Sequence, residues 1–409
     1  MNQRDLRMAT QAILRETPED RLCAVLDCFQ RWMLMPDTGA VTIALGAVAA
    51  NRIEGNPVWL LLVGPPSSGK TEILDSLLGL PDMLKASVLT EAALLSGSPN
   101  RQKTKDATGG LLRKVGDFGF IVMKDFTSVL SMHTEQRAAV LAALREVFDG
   151  AWTRWIGTDG GRTLSWQGKC AFLGGVTPIL DQHHGVIAGM GERFLLSRMP
   201  KPDAEKQAKR SLKHLGHERE MQCQLRESVC RLFERLTLSP LEPSEDDILR
   251  LSALSTLAAE CRSAVERDSR YREIELVPDP ELPARLTQQL ARLNHGMRLI
   301  GAPEDEAWRL IQKVPLDSIP ATRLRILSQL LKSPSPVQTS EIATKIGYPT
   351  TTARRICQDL AAHSILLHSK GKSDHDLWEL APLTLDRWDR AGLPPNWPPP
   401  TVPEKPETV

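Results

Sequence analysis

The sequence predicts an α/β protein with a parallel sheet, followed by a helical subdomain and a C-terminal winged helix-turn-helix. Three observations carry that reading. Apolar strand segments alternate with helical ones from Val58 to about Pro200. The run Gly64-Pro65-Pro66-Ser67-Ser68-Gly69-Lys70-Thr71 lies between one such strand and a helix. Beyond Pro320, three short amphipathic helices are followed by a β-ribbon.

The elements follow in order. Thr17, Pro18, Glu19 and Asp20 form a helix start, with a hydroxyl cap, an early proline and acids at the positive end of the dipole. Leu22, Val25, Leu26, Phe29 and Met33 continue it at helical spacing. A second helix is expected over Val41–Ala50. Val58–Val63 is continuously apolar, as suits a strand buried on both faces of a parallel sheet. Further strands are expected at Ala86–Leu89, Phe118–Met123 and Ala171–Val176, with helices over Thr71–Leu80 and Glu135–Phe148. Charged amphipathic helices occupy Lys201 to Gly301.

Pro315 to Pro320 marks a boundary before the last compact unit. There Leu324, Leu327, Leu330 and Leu331 predict one helix, Thr339 caps a second, and Thr350 caps a third that is buried through Ala353, Ile356 and Leu360. Ile365–Leu367 and Asp376–Leu380 flank a wing at Lys370-Gly371-Lys372-Ser373. The resulting division is an N-terminal helical segment (1–50), an α/β core (51–200), a helical subdomain (201–314), a winged helix (315–385) and a Pro-rich, disordered tail (386–409).

The chain has 409 residues, with 51 Lys+Arg against 50 Asp+Glu and a formal net charge of +1. Total charge therefore favours no nucleic-acid, acidic-substrate or membrane partner, and any such contact must come from local clusters. Glu242–Glu281 holds 5 Lys+Arg against 11 Asp+Glu, a net −6, while Ala321–Ala381 holds 8 against 5, a net +3. The seven cysteines lack paired spacing, which predicts reduced thiols and a cytoplasmic location. No secretory signal and no membrane span are expected.

The Gly64–Thr71 run matches GxxxxGK[ST] in full. Its glycines let backbone N–H groups turn toward a phosphate. Lys70 reaches the β- and γ-phosphates, and the Thr71 hydroxyl ligates Mg²⁺. The site so formed, Gly64, Pro65, Pro66, Ser67, Ser68, Gly69, Lys70 and Thr71, is expected to take ATP and Mg²⁺. A carboxylate at a neighbouring strand end completes such a site, and Asp125 supplies it after Phe120–Met123. Lys124 stands where a second acid is usual, so Asp125 works alone or with an acid from elsewhere.

Asp149 to Gly157 and Arg162 to Trp166 alternate on either side of Asp159-Gly160-Gly161, which predicts a β-hairpin just before the strand ending at Thr177. Here the sequence resembles AAA+ ATPases with a pre-sensor-1 hairpin, the minichromosome-maintenance (MCM) helicases and sigma-54-dependent activators. The resemblance spans roughly Val58 to Ile300, and the order with a winged helix, as in archaeal MCM proteins, extends it to about Leu380. Phe118–Pro200 also looks like ATPases and helicases of phages and mobile elements.

The resemblance implies that Thr177 takes the sensor-1 position, usually Asn in the family. Gly191-Glu192-Arg193-Phe194 resembles its Ser-Arg-Phe segment, which makes Arg193 the arginine-finger candidate, with Arg198 next and Arg285 in the sensor-2 place. It implies contact with the DNA backbone by hairpin residues Arg154, Arg162 and Lys169. On the winged helix, Thr351, Arg354, Arg355 and Gln358 of the third helix, with Lys370 and Lys372 of the wing, form the expected DNA face.

The implied protein is a homo-oligomeric ATPase, with a hexameric ring as one form, that remodels DNA, as a replicative helicase or an initiator of a phage or mobile element. The alternative is a winged-helix transcription regulator with an ATPase switch. A Gly-Ala-Phe-Thr-Gly-Ala loop, the element of sigma-54 activators, is absent between Thr71 and Asp125. A defence or signalling ATPase with a protein partner is a third reading. His183-His184 and the group His214, His217 and Cys223 lack zinc spacing. Trp152, Trp155 and Trp166 are expected to pack on the core rather than to stack on bases.

Overall fold

A computed structural model describes residues 16–96, 109–157, 161–183, 193–268, 270, 272–371, 374–395 and 397. The expected turn at Thr158–Gly160, the Gly191-Glu192 pair, His184, Lys372 and residues 398–409 lie outside them.

Helix α1 (Pro18–Trp32) starts on the predicted cap. The Thr17 hydroxyl accepts from the Asp20 amide while the Asp20 carboxylate accepts from the Thr17 amide, a reciprocal capping box. Helix α2 (Gly39–Asn51) is buried along its whole length. It is apolar all round, as a helix enclosed by its own fold must be. Strand β1 (Trp59–Val63) is likewise fully buried, and the Trp59 indole donates to the Cys170 carbonyl at 2.8 Å. Next come α3 (Lys70–Leu77), β2 (Met83–Ala86), β3 (Phe118–Met123), α4 (Thr134–Phe148), β4 (Ala151–Ile156), β5 (Arg162–Gln167), β6 (Lys169–Val176) and β7 (Phe194–Arg198). The strand expected at Ala86–Leu89 ends at Ala86, because its pairing with β3 runs from Met83 to Ala86.

The parallel sheet has five strands, and β2-β3-β6-β1 are neighbours in that order. β4 and β5 pair antiparallel as the predicted hairpin, with Trp152 opposite Trp166. Those two tryptophans are buried, as expected, whereas Trp155 is 80% exposed.

Two compact units divide the chain. The first comprises residues up to Thr177, Met199–Leu241 and Arg292–Leu310. It holds the strands just ordered and the helices α5 (Ala204–Lys213) and α6 (Glu218–Glu234). The second comprises Pro178–Arg198, Glu242–Ala291 and residues from Ile311 onward. The helical stretch expected over 201–314 is thus shared between units, through α7 (Glu245–Arg262), α8 (Ala284–Leu299) and α9 (Glu304–Ser318). Pro315 lies inside α9, in the second unit, which resumes at Ile311. Ile311, Val314 and Leu316 around it are fully buried, and this burial offsets the roughly 3 kcal/mol that an interior proline costs.

The winged helix comprises α10 (Ala321–Leu331), α11 (Thr339–Ile346), α12 (Thr350–Ala362) and the sheet β10-β12-β11 (Val337–Gln338, Asp376–Leu380, Leu366–Lys370). Thr339 and Thr350 are first helical residues; the caps are Gln338 and Pro349. The Thr339 hydroxyl instead accepts from the Trp378 indole at 2.8 Å. Before it, an unforeseen two-stranded ribbon, β8 (Glu266–Arg267) and β9 (Ile274–Leu276), follows α7. The expected boundary at 385/386 falls within a further helix, α13 (Pro382–Arg390). Trp388 and Trp397 are buried, and the Trp388 indole donates to the Pro394 carbonyl. The Pro-rich segment therefore packs at least as far as Trp397.

In the first unit, α2 and α8 approach backbone to backbone. A Cβ on Gly296 would lie 2.2 Å from the Gly46 carbonyl oxygen and 2.8 Å from the Ala50 nitrogen. Neither backbone atom can rotate away, so Gly296→Ala should lower unfolding free energy by about 1–3 kcal/mol in urea titration. An unchanged denaturation midpoint would contradict this packing.

Candidate nucleotide site and winged-helix face

Parallel pairing of β1 and β3 with β6 brings three strand ends to one edge of the sheet. The loop Gly64–Gly69 leaves β1, Asp125 follows β3, and Thr177 follows β6. Gly175 makes the approach possible: a Cβ there would lie 2.6 Å from the Lys124 carbonyl oxygen. Instead the Phe126 amide donates to the Gly175 carbonyl at 2.7 Å, fixing the chain next to Asp125.

Within the loop, Ser67 (φ +62°) and Gly69 (φ +90°) adopt left-handed backbone, and the chain turns directly into α3. A Cβ on Gly64 would stand 2.6 Å from the Ser68 Oγ. The Lys70 ammonium is held inside the loop, donating to the carbonyls of Gly64 and Pro65, both at 2.7 Å, and to Ser68 Oγ at 3.2 Å. Burial lowers the Lys70 pKa, while Glu72 and Asp125 act the other way. Asp125 is thus within electrostatic reach of Lys70. Thr71 and Asp125 are both exposed there, and their hydroxyl and carboxylate are the hard oxygen donors that Mg²⁺ prefers.

Lys124, in the place of a second acid, forms a close ion pair with Asp75 of α3. The residue sequence reasoning missed is Thr127. Its amide donates to Asp125 Oδ1 at 3.0 Å, and its hydroxyl accepts from the Thr177 amide at 3.1 Å, with the Thr177 hydroxyl 3.3 Å away. Thr127 thus links the strand-end acid Asp125 to Thr177. The Asp125-Phe126-Thr127 spacing was its only signal.

Beside the loop lies a cavity of about 310 Å³, lined by Trp32, Ser67, Ser68, Gly69, Arg210 and His214 among others. The Trp32 and His214 rings are 4.9 Å apart. Arg210 Nε and His214 Nε2 are buried with no hydrogen-bond partner among the described residues. Arg210 also donates to the Gln30 and Arg31 carbonyls, and Gln207 donates to that of Ser67. His217 pairs with Glu220 and Cys223 donates to Glu227. No His, Cys, Asp or Glu cluster suited to a metal occurs among the described residues.

Other expected site residues are placed differently. Arg154 donates to the Leu95 carbonyl at 2.9 Å, and Lys169 to that of Ile53 at 2.6 Å. Burial, with Arg292 nearby, lowers the Lys169 pKa to about 8. Both half-buried side chains are thus engaged by backbone carbonyls. Arg162 lies in β5, and its side chain is outside the described residues.

In the second unit Arg193 is 7% exposed, and its carbonyl accepts from Gln289. Arg198 forms a bidentate pair with Asp181 at 2.6 and 3.1 Å and donates to the Asp317 carbonyl. Arg285 pairs with Glu281 at 2.8 Å.

On the winged helix, Thr351, Arg354, Arg355 and Gln358 are all exposed on α12. Arg354 and Lys370 both pair with Asp376, at 3.0 and 2.9 Å. The hydrogen bond with Lys370 is the main cause of the lowered Asp376 pKa.

Residues 324–368 match the IclR helix-turn-helix domain. The match runs from within α10 to β11, so this part of the chain is a helix-turn-helix by sequence and by structure. No curated protein matches the chain. Among solved structures, that of a "putative ATPase" from Cytophaga hutchinsonii is similar at a TM-score of 0.40 and 13% identity, covering 76% of this chain and 89% of that one. Among the described residues, no helix is long and apolar enough to cross a membrane.

If Thr127 links acid and sensor, Thr127→Ala should cost up to about tenfold in the rate of nucleotide hydrolysis with little change in nucleotide affinity, and Thr127→Ser should restore most of it. Equal losses in both variants would assign Thr127 to packing alone.

Proposed function

We propose that this chain is a Mg²⁺-dependent ATPase that acts on DNA bound by its winged helix. The observation that carries this reading is the convergence of the Gly64–Thr71 loop, Asp125 and the Thr127–Thr177 pair on one sheet edge. The loop amides and Lys70 hold the β- and γ-phosphates. Thr71 and Asp125 hold Mg²⁺, which when bound neutralises charge on the phosphate oxygens. Asp125 orients the attacking water, and Thr177 senses the γ-phosphate through its hydroxyl. The cavity at Trp32, Arg210 and His214 takes the base end of the nucleotide: its aromatic wall and unpaired polar atoms suit a flat heterocycle.

The finer reading is a DNA-remodelling motor, a helicase or initiator of a phage or mobile element, working as a homo-oligomeric ring. Arg193, or else Arg198, serves as the finger for a neighbouring subunit's nucleotide, and Arg285 as a second sensor. Arg193 then has to leave its buried position when subunits meet. One observation favours a second reading, an ATP-switched transcription regulator. The hairpin cations Arg154 and Lys169 bond to backbone carbonyls, while α12 presents Thr351, Arg355 and Gln358 on its exposed face.

Lys70→Ala should lower ATP turnover on the order of a hundredfold or more. Activity retained in that variant would remove the ATPase reading. For the motor, duplex or single-stranded DNA should stimulate hydrolysis while light scattering reports a multimer. A strict monomer whose hydrolysis ignores DNA, together with one sharp motif from binding-site selection, would replace the motor by the regulator.

A further inference from the structure

The ribbon β8–β9 was hidden within the acidic stretch Glu242–Glu281, and none of the functions considered above uses it. It lies against the exposed helix of the winged domain and is fastened there by one side chain. The Arg267 guanidinium donates to Asp359 Oδ1 at 2.6 and 3.0 Å, to the Arg355 carbonyl at 3.0 Å and to Gln358 Oε1 at 3.3 Å. A fifth bond, to the Arg272 carbonyl at 2.5 Å, ties the same group to the residues leading into β9. Asp268 closes the turn by accepting from the amides of Arg270 and Glu273. The ribbon is therefore bonded to α12 through Arg267.

Between ribbon and helix runs a groove of about 570 Å³. Arg272 lines it from the ribbon, and Thr351, Arg354 and Arg355 from α12, while Glu273 is the one carboxylate in its lining. Arg354 is paired with Asp376 and Arg267 with Asp359. Arg272 and Arg355 are both exposed and have no carboxylate partner among the described residues. Two exposed arginines without a carboxylate partner thus line one groove, one on the ribbon and one on α12. That is the chemistry of a phosphate site, since the planar fork matches phosphate oxygens.

Accepting the DNA reading above, we infer that the ribbon is a second wing. The groove holds a backbone phosphate of duplex DNA docked on α12, between Arg272 and Arg355. The contact adds affinity and register without reading sequence.

Arg272 has φ +61°, a left-handed conformation that glycine adopts freely. Arg272→Gly therefore removes the charge without straining the turn, and Arg272→Lys keeps it. The full chain and both variants are titrated with labelled duplexes of two unrelated sequences over a range of salt. The slope of log Kd against log salt should fall by about 0.9 in Arg272→Gly, one phosphate contact fewer, equally for both duplexes, and return with lysine. Arg267→Ala, which frees the ribbon, should lose the same slope. A wild-type slope in Arg272→Gly would overturn the second wing while leaving DNA binding intact. A wild-type chain that binds neither duplex would overturn both readings, and a slope change seen only with single strands would assign the groove to a different nucleic acid.

Discussion

The candidate nucleotide site depends on one close approach, that of the β6 end to the β3 end. Gly175 lets the Lys124 carbonyl come to a distance that any side chain would forbid, and the Phe126 amide closes the contact. Every polar group of the site is referred to that contact. The Gly64 amide donates to the Val176 carbonyl at 3.1 Å, so the loop after β1 is registered on the same strand end. Asp125 and Thr177 follow the two joined residues, and Thr127 spans them. A sheet registered otherwise would scatter four groups that the chain sequence separates by more than a hundred residues.

What the sequence made legible was local. The loop Gly64–Thr71, the capping box at Thr17 and Asp20, the hairpin before β6 and the three helices of the winged domain each rest on residues within one or two turns of each other. Two of the failures share a cause as well, because tertiary burial overrode a local signal. Pro315 reads as a breaker but sits in a helix enclosed by apolar side chains. The stretch from 386 reads as the start of a disordered tail, yet its first residues continue α13 and Trp388 is buried. The ribbon β8–β9 has too few residues to show a period of two.

Side-chain destination was the least legible feature of the candidate site. Arg154 and Lys169 occupy the hairpin region as expected, but a basic side chain near a sheet edge has two kinds of acceptor available, a phosphate or an orphan carbonyl. Here the carbonyls of Leu95 and Ile53 claim them. The same competition explains the winged domain. Asp376 engages Arg354 and Lys370, and Asp359 engages Arg267, so the net positive charge of that domain is concentrated on a few open groups. The charge of +1 over the whole chain is thus a sum over neutralised pairs, and the groups left open decide what the surface binds.

Lys124 shows the same logic within the nucleotide site. A cation directly beside the strand-end acid would neutralise it and compete with Mg²⁺ for its oxygens. Asp75, five residues beyond Lys70 on α3, is 7% exposed and holds the Lys124 ammonium as a close ion pair. A largely buried carboxylate without a partner would carry a heavy desolvation penalty, so the pair is mutually enforced. The lysine that replaces the usual acid is therefore turned to the helix following the loop. Asp125 stays exposed beside the loop, and Lys124 becomes a strut between β3 and α3.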